Sequence, residues 1–502
     1  MSIGKLWPAE KNTLFRSLKA FVWIGLALFT SQSVIAQSET YNWSNVPIGG
    51  GGFVSGIITQ KTASGPVIYA RTDVGGAYRW DPAQNSWLPL LDWAAESESG
   101  LMGVESVAID PQNPNRVYIL AGISYFNNGN TAILRSTDYG GTFTKIDVTS
   151  QFKAHGNGMG RQNGERLQVD PVNSNVLYCG TRWNGLFKST DQGSTWSRVN
   201  ALNVTTTPNE NGISFVVLDK SRTLNGSTQR IFAGVSRTGS SNLYKSEDGG
   251  ATFTAVTNPG LPSAFMPQRA VLDGAGNLYV TYGDGAGPHG HWAVPEPFTN
   301  GAVWKYNIAA NTWTNVSPND PDDATKKFAK PFGGISIDPN NPQRVICSTT
   351  NTYYLQENAY GDRFFLSADG GATWTDVVKR GFDMDPNGIT WVTGQSIHWA
   401  GSIEFDPNDS QKVWVTSGNG VFVNSNIDAT TGVWKFTVKG LEEVVPLGLV
   451  SIPNGPLVSV IFDYDGFRHT DVKSYAPIHN PRIGSTTGLA FANGNTSKLL
   501  RV

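Results

Sequence analysis

Leu167-Gln-Val-Asp170-Pro171, Asn175-Val-Leu-Tyr-Cys179-Gly180, Gly185-Leu-Phe-Lys188 and Ser189-Thr-Asp191-Gln-Gly193-Ser-Thr-Trp196 follow one another within Arg166–Asn200. The first three are short apolar runs bounded by Asp-Pro and Gly, the pattern of strands separated by tight turns. The fourth is a turn closed by an aromatic residue. The same order recurs in units beginning near Phe53, Gly103, Gly212, Met266, Phe332, Ser396, Val444 and Gly484. Spacings of about 35 to 65 residues with four strands per unit predict β-propeller blades. Seven units lie within 37–443, enough to close a ring. An eighth, Val444–Pro477, and the start of a ninth, Gly484–Val502, fall outside it. The expected fold is all-β: a seven-bladed propeller over 37–443, followed over 444–502 by the first blades of a second, incomplete propeller.

The Ser-x-Asp-x-Gly-x-x-aromatic turn, the Asp-box, occurs at Ser136–Phe143, Ser189–Trp196, Ser246–Phe253 and Ser367–Trp374. Its Asp can accept hydrogen bonds from its own turn, its Gly supplies the unusual dihedral, and its aromatic plugs the space between sheets. A motif repeated this often marks a scaffold, because one active site needs one copy.

Composition agrees. Glycine supplies 56 residues, aromatics 11% and charged residues only 16% of the chain, as tight-turned β structure requires. The net charge of −2, with no basic run beyond the N-terminus, gives no footprint for nucleic acid or an anionic membrane. The 16 tryptophans exceed what a core needs, and the surplus suits stacking on flat sugar faces. Residues 1–36 read as a secretory signal: basic Lys11, Arg16 and Lys19, apolar Ala20–Phe29, and a cleavage site after Ala36. The apolar run is too short to span a bilayer. The mature chain is therefore expected outside the cytoplasm. Cys179 and Cys347 sit in strand-like runs of distant units and are expected unpaired. No CxxC or His/Cys cluster indicates a structural metal, and His289 and His291 in a glycine-rich loop are a weak pair for one.

Chemistry enters at Tyr69-Ala-Arg71-Thr-Asp73-Val-Gly75-Gly76-Ala-Tyr78-Arg79-Trp80. A strand leads in, a glycine pair turns the chain, and a second strand leaves, with Asp73 on the turn. Val458-Ser-Val-Ile-Phe-Asp463-Tyr-Asp465-Gly466-Phe467-Arg468-His469 repeats the pattern in the eighth unit. Both carboxylates should sit between the second and third strands of their sheets, opposite the Asp-Pro turns and the Asp-boxes. Two carboxylates across one cleft are the minimum apparatus for glycoside hydrolysis.

These segments, with Gly49-Gly-Gly-Gly-Phe53-Val, Pro89-Leu-Leu-Asp-Trp93, Asn163-Gly-Glu165-Arg166-Leu, Gly283-Asp-Gly-Ala-Gly-Pro288 and Gly301-Ala-Val-Trp-Lys305, resemble glycoside hydrolase family 74, the xyloglucanases. The resemblance implies two seven-bladed propellers facing across an open cleft, and cleavage of β-1,4-glucan backbones, chiefly xyloglucan, with inversion and without a cofactor. It places Asp73 on the general base and Asp463 on the general acid. The family has glycine where this chain has Asp465, and a carboxylate so close to Asp463 would raise the pKa of one of the two. Candidate sugar platforms are Tyr78, Trp80, Tyr125, Trp183, Trp292, Trp391 and Trp399. Glu165, Asp284 and Glu404 rank below the two Asp residues as substrate-binding or supporting groups. A monomer acting on a polysaccharide is expected. A glycan- or protein-binding propeller without catalysis is the alternative, and the short second propeller favours it. A sialidase is a third, for which no arginine triad with a tyrosine nucleophile stands out.

Overall fold

A computed structural model describes residues 44–239, 241–288 and 296–502. The export signal read at 1–36, and Trp292, His289 and His291, lie outside these residues. Val46–Val502 forms one compact unit.

The first sheet pairs β1 (Val54–Thr62), β2 (Gly65–Thr72), β3 (Ala77–Asp81) and β4 (Ser86–Pro89) in sequence order. Alternation of apolar and polar residues makes these strands, and glycine-rich links keep neighbours antiparallel. Five more four-stranded sheets follow, starting at Val104, Leu167, Ile213, Met266 and Phe332. The sixth carries an extra hairpin, Tyr354–Gln356 with Ala359–Gly361. The seventh is built on Ile403–Asp406, Asp409–Ser417, Gly420–Asn424 and Gly432–Phe436, and Phe382–Asp385 adds a parallel outer strand. A three-stranded sheet, Pro446–Ser451, Leu457–Ile461 and Arg468–His469, and a hairpin, Leu489–Ala492 with Asn495–Arg501, come last.

The core lies between successive sheets rather than inside one. Tyr69 and Leu90 pack on Val104 and Val117, Tyr118 and Leu120 on Leu167, and Tyr178 on Ile213. Phe232 then meets Leu278, and Val303 meets Phe332. The series returns to its start. Ile57 and Ile68 of the first sheet share a cluster with Trp414 and Phe422 of the seventh. Trp87 rings stand edge-on to Trp80 and Trp414 at 5.3 and 5.9 Å, and the Trp87 indole donates to the Thr437 carbonyl at 2.8 Å. Ile461 and Phe467 of the eighth sheet belong to the same cluster. The apolar core thus runs across the 443/444 junction.

All four Asp-boxes have the expected internal bonding. In the third sheet Ser189 Oγ donates to Asp191 Oδ1 at 2.8 Å, Gly193 N–H donates to Ser189 Oγ at 2.9 Å, and Thr195 donates to Asp191 through its N–H and hydroxyl at 2.9 and 2.7 Å. Cys179 and Cys347 are buried and unpaired.

Candidate functional site

Asp73 lies in the turn between β2 and β3, held by bonds that its neighbours make. Thr72 Oγ1 donates to Gly76 O at 2.9 Å, and Gly75 N–H donates back to Thr72 Oγ1 at 2.9 Å. Gly76 takes φ +91°, a conformation costly for a residue with a Cβ. At Gly75 the reason for glycine is a close approach: a Cβ there would lie 1.6 Å from Glu443 Oε2.

Arg71, two residues earlier, is buried and spends its fork on a neighbouring loop. It donates to Glu165 Oε1 at 2.8 Å, Ser55 Oγ at 2.9 Å, Arg161 O at 2.7 Å and Asn163 O at 2.8 Å. That loop returns Arg161 to Asp73, with Nε 2.9 Å from Oδ2. The Arg161 guanidinium also covers the Phe53 ring at 5.0 Å from its centre. A second buried network braces the same loop. Glu105 accepts the His155 N–H and pairs with Arg166 and Arg182, while Arg182 also donates to Met159 O. Burial works to raise the Glu105 pKa, but Arg182 and Arg166 outweigh it and hold the carboxyl at about 2.

Glu443 faces Asp73 from the end of the ring. Its Oε1 accepts the N–H groups of Val74 and Gly75, both at 3.1 Å. Burial, then the Asp73 charge, then a hydrogen bond with Asp73 push its carboxyl well above the usual range. Its neighbour Glu442 accepts the N–H groups of Ile48 and Gly49, and burial lifts it to about 7. The Gly49–Gly52 run is what lets these segments meet: a Cβ on Gly52 would stand 2.0 Å from Glu443 O.

Asp463 occupies the equivalent turn of the eighth sheet and is solvent-facing. Its neighbour Tyr464 packs on Trp391, ring centres 4.7 Å apart, and the Tyr464 hydroxyl bonds Asn419. Those contacts seat the turn over the seventh sheet. A cleft of about 590 Å³ results, lined by Asp73, Asp463 and Glu443, with Phe53, Arg161, Asn157, His398 and Trp399 among the rest of its wall. Trp399 holds φ +56°, a strained conformation for so bulky a residue and of a kind that concentrates at functional sites.

Of the expected platforms, Trp399 lines this cleft. Tyr125 and Trp183 lie beside it in an aromatic row. Asn157 of the cleft wall donates to the Tyr125 hydroxyl at 2.8 Å, Tyr125 stands edge-on to His155 at 5.3 Å, and His155 stacks on Trp183 at 6.3 Å. Tyr125 is 60% exposed, so one face is open. Tyr78, Trp80 and Trp391 need correcting, because all three are core residues. Tyr78 donates to Glu442 O at 2.8 Å, Trp80 is clamped between Trp87 and Trp414, and the Trp391 indole donates to Ile48 O at 3.0 Å. Aromatic type next to a turn does not distinguish a platform from a plug. Trp292 lies outside the described residues.

The competing carboxylates are braces. Glu165 accepts Arg71, Ser106 Oγ at 2.7 Å and Val107 N–H at 2.8 Å. Asp284 closes its own loop by accepting the Thr299 N–H at 2.8 Å and Asn300 Nδ2 at 3.0 Å. Burial lifts Glu404 to about 7, with Arg269 opposing, away from the cleft wall. Asp465 differs from the expectation that it would act on Asp463. It is buried, pairs with Arg501 and accepts the Ile483 N–H, tying its turn to the final hairpin. Among the described residues no group of three or more His, Cys, Asp or Glu side chains is arranged to hold a metal ion.

Sequence reading missed Glu443 and Arg161. Two adjacent acids between apolar residues, Leu441-Glu-Glu-Val444, were the signal available for the first; the loop of Arg161 carried none.

No family model matches the sequence. The chain is 38% identical to a xyloglucanase of Paenibacillus sp over 99% of its length and 50% of that protein. It is 38% identical to Xyloglucanase Xgh74A of Acetivibrio thermocellus over 98% of its length and 60% of that protein. The crystal structure of the Niastella koreensis GH74 enzyme superposes with a TM-score of 0.84 at 50% identity, over 91% of this chain and 64% of that one. The GH74 xyloglucanase of Xanthomonas campestris gives 0.82 at 34%, over 92% and 65%. The chain thus spans about half to two thirds of the length of these relatives.

Proposed function

Since the chain belongs to glycoside hydrolase family 74, we propose that its cleft takes the β-1,4-glucan backbone of xyloglucan and hydrolyses it with inversion. The observation that carries this reading is that Asp73 and Asp463, from sheets at opposite ends of the chain, line one cleft. Asp73 acts as the base. It holds a water against the anomeric carbon and takes its proton, with Arg161 as countercharge on Oδ2. Asp463, on its solvent-facing turn, protonates the departing glycosidic oxygen. Inversion requires the two carboxyls to stand about 6.5–9.5 Å apart with the water between base and sugar. Trp399, Tyr125 and Trp183 stack on sugar rings along the chain. Export through residues 1–36 and action as a monomer belong to the same proposal, since a polysaccharide of this size is met outside the cell.

The aromatic row Tyr125–His155–Trp183 favours a second reading, because it is a stacking surface with no paired carboxylates of its own: glycan binding without cleavage. Release of reducing ends from xyloglucan, with the anomer of the first product followed by NMR, separates the two. Hydrolysis that disappears in Asp73→Ala and yields the inverted anomer supports the enzyme. Binding without release by a protein carrying both sheets and both Asp residues supports the scaffold.

A further inference from the structure

We propose that Glu443 is a neutral carboxylic acid at neutral pH, whose proton is donated from Oε2 to the Asp73 carboxylate, making it the positioning residue of the base. The inference rests on the reading of Asp73 as the base. Its starting point is the use of the two Glu443 oxygens. Oε1 is taken by two backbone donors, Val74 N–H and Gly75 N–H. Oε2 is buried and no hydrogen bond reaches it; the Thr72 hydroxyl beside the carboxyl spends its proton on the Gly76 carbonyl at 2.9 Å. A carboxylate left so would pay the full cost of an unsatisfied buried acceptor. A carboxylic acid would not, because Oε2 then carries a proton and the Asp73 carboxylate beside it accepts. The other charged and titratable groups around the pair fit one shared proton. Arg161 serves Asp73 rather than Glu443. Tyr78 donates to the Glu442 carbonyl, and the Glu442 carboxyl turns to Ile48 and Gly49. Asp463 and His398 line the same cleft. No described cation pairs with Glu443 directly. Two like charges this close would repel, and one proton between them removes the repulsion.

The consequence for catalysis is geometric. Arg161 and the Glu443 proton hold the Asp73 carboxylate from two sides, so it waits in one orientation for the water. The Asp73 turn and Glu443 also fix each other, because Glu443 bonds the two residues that follow the base.

The test compares Glu443→Gln, Glu443→Ala and Asp73→Asn. Glutamine keeps an oxygen for Val74 and Gly75 and an N–H for Asp73, but it cannot ionise. Infrared difference spectra at about pH 8, above where Glu442 and Glu404 give up their protons, should show a protonated-acid carbonyl band in the wild type. That band should vanish in Glu443→Gln and shift in Asp73→Asn. In xyloglucan hydrolysis Glu443→Gln should keep most of kcat. Glu443→Ala should lose about 10²-fold in kcat with little change in KM, as a misplaced catalytic group does. Absence of the band, or a band indifferent to Asp73→Asn, overturns the shared proton. A Glu443→Gln protein as slow as Glu443→Ala overturns the positioning role. If the band behaves as expected but Asp73→Ala hydrolyses normally, the pair stands and the assignment of Asp73 as base falls.

Discussion

Asp73 and Asp463 differ in surroundings, and their variants should differ in kind. In the proposed mechanism Asp73→Ala removes the group that orients and deprotonates water, a loss of about 10²–10⁴-fold that no substrate repairs. In the same mechanism Asp463→Ala removes the proposed proton donor, so an aryl glycoside with a good leaving group should recover much of the lost rate. Steady-state rates on xyloglucan and on an activated aryl oligosaccharide check both, and rescue of the Asp73 variant would count against these roles. Glu442 gives a pH signature of its own. Its carboxyl sits at about 7 when folded, against 4.5 unperturbed. A folded pKa above the unfolded one means the unfolded chain releases its proton first, so this contribution is fully present below pH 4.5 and is lost as pH rises to about 7. Glu442→Gln has no such loss. Its stability relative to wild type, from urea unfolding at a series of pH values, should therefore improve steadily across that window.

The Asp-box turns work in the opposite sense. Ser136 first, then Thr142, hold Asp138 at about 2, and bonds led by Thr373 hold Asp369 at about 2. Thr195 and Thr252 lead the same effect at Asp191 and Asp248. These depressed values contribute stability that is present above the unperturbed 3.8 and is lost as pH falls towards 2. Asp191→Ala should cost roughly 1–2 kcal/mol through the lost turn bonds, and the cost should shrink as pH is lowered below the unperturbed 3.8. A cost independent of pH would mean that the Asp191 charge is not what the turn uses. The turn of Asp73 has no such box. Its shape comes from Thr72 within the hairpin and from Glu443 across the sequence, so this turn depends on ring closure where the Asp-box turns do not.

Closure is a property of the whole molecule, and Trp87 is one of its seals. It touches the first and seventh sheets through Trp80, Trp414 and the Thr437 carbonyl. Trp87→Ala should cost about 3–5 kcal/mol, as truncating a buried Trp does, and should be read from the shift of the urea midpoint at constant slope. Because Gly50 and Leu441 bond across the same seam, the variant should also lose hydrolysis before it loses overall fold. Activity that survives until global unfolding would show that the seam does not hold the site. The eighth sheet joins this core through Ile461 and Phe467, and that sharing is how a turn near the end of the chain comes to face one near its start.

The sequence by itself determined the repeat, the strand-rich blades, the four Asp-box turns and the placing of Asp73 and Asp463 on equivalent turns. These are local matters: strand periodicity, turn residues and a motif bonded within itself leave their pattern in neighbouring letters. Tertiary structure alone decided which aromatics face a cleft. Tyr78, Trp80 and Trp391 stand in the same kind of sequence as Trp399, and only the packing of sheet on sheet buries the first three. It also decided the company of Asp73. Arg161 arrives because buried Arg71 draws its loop inward, and Glu443 arrives because the ring closes on a run of glycines. Both contacts join residues far apart in the chain, and a burial that converts one carboxyl into a proton donor for another has no signature in the order of the residues.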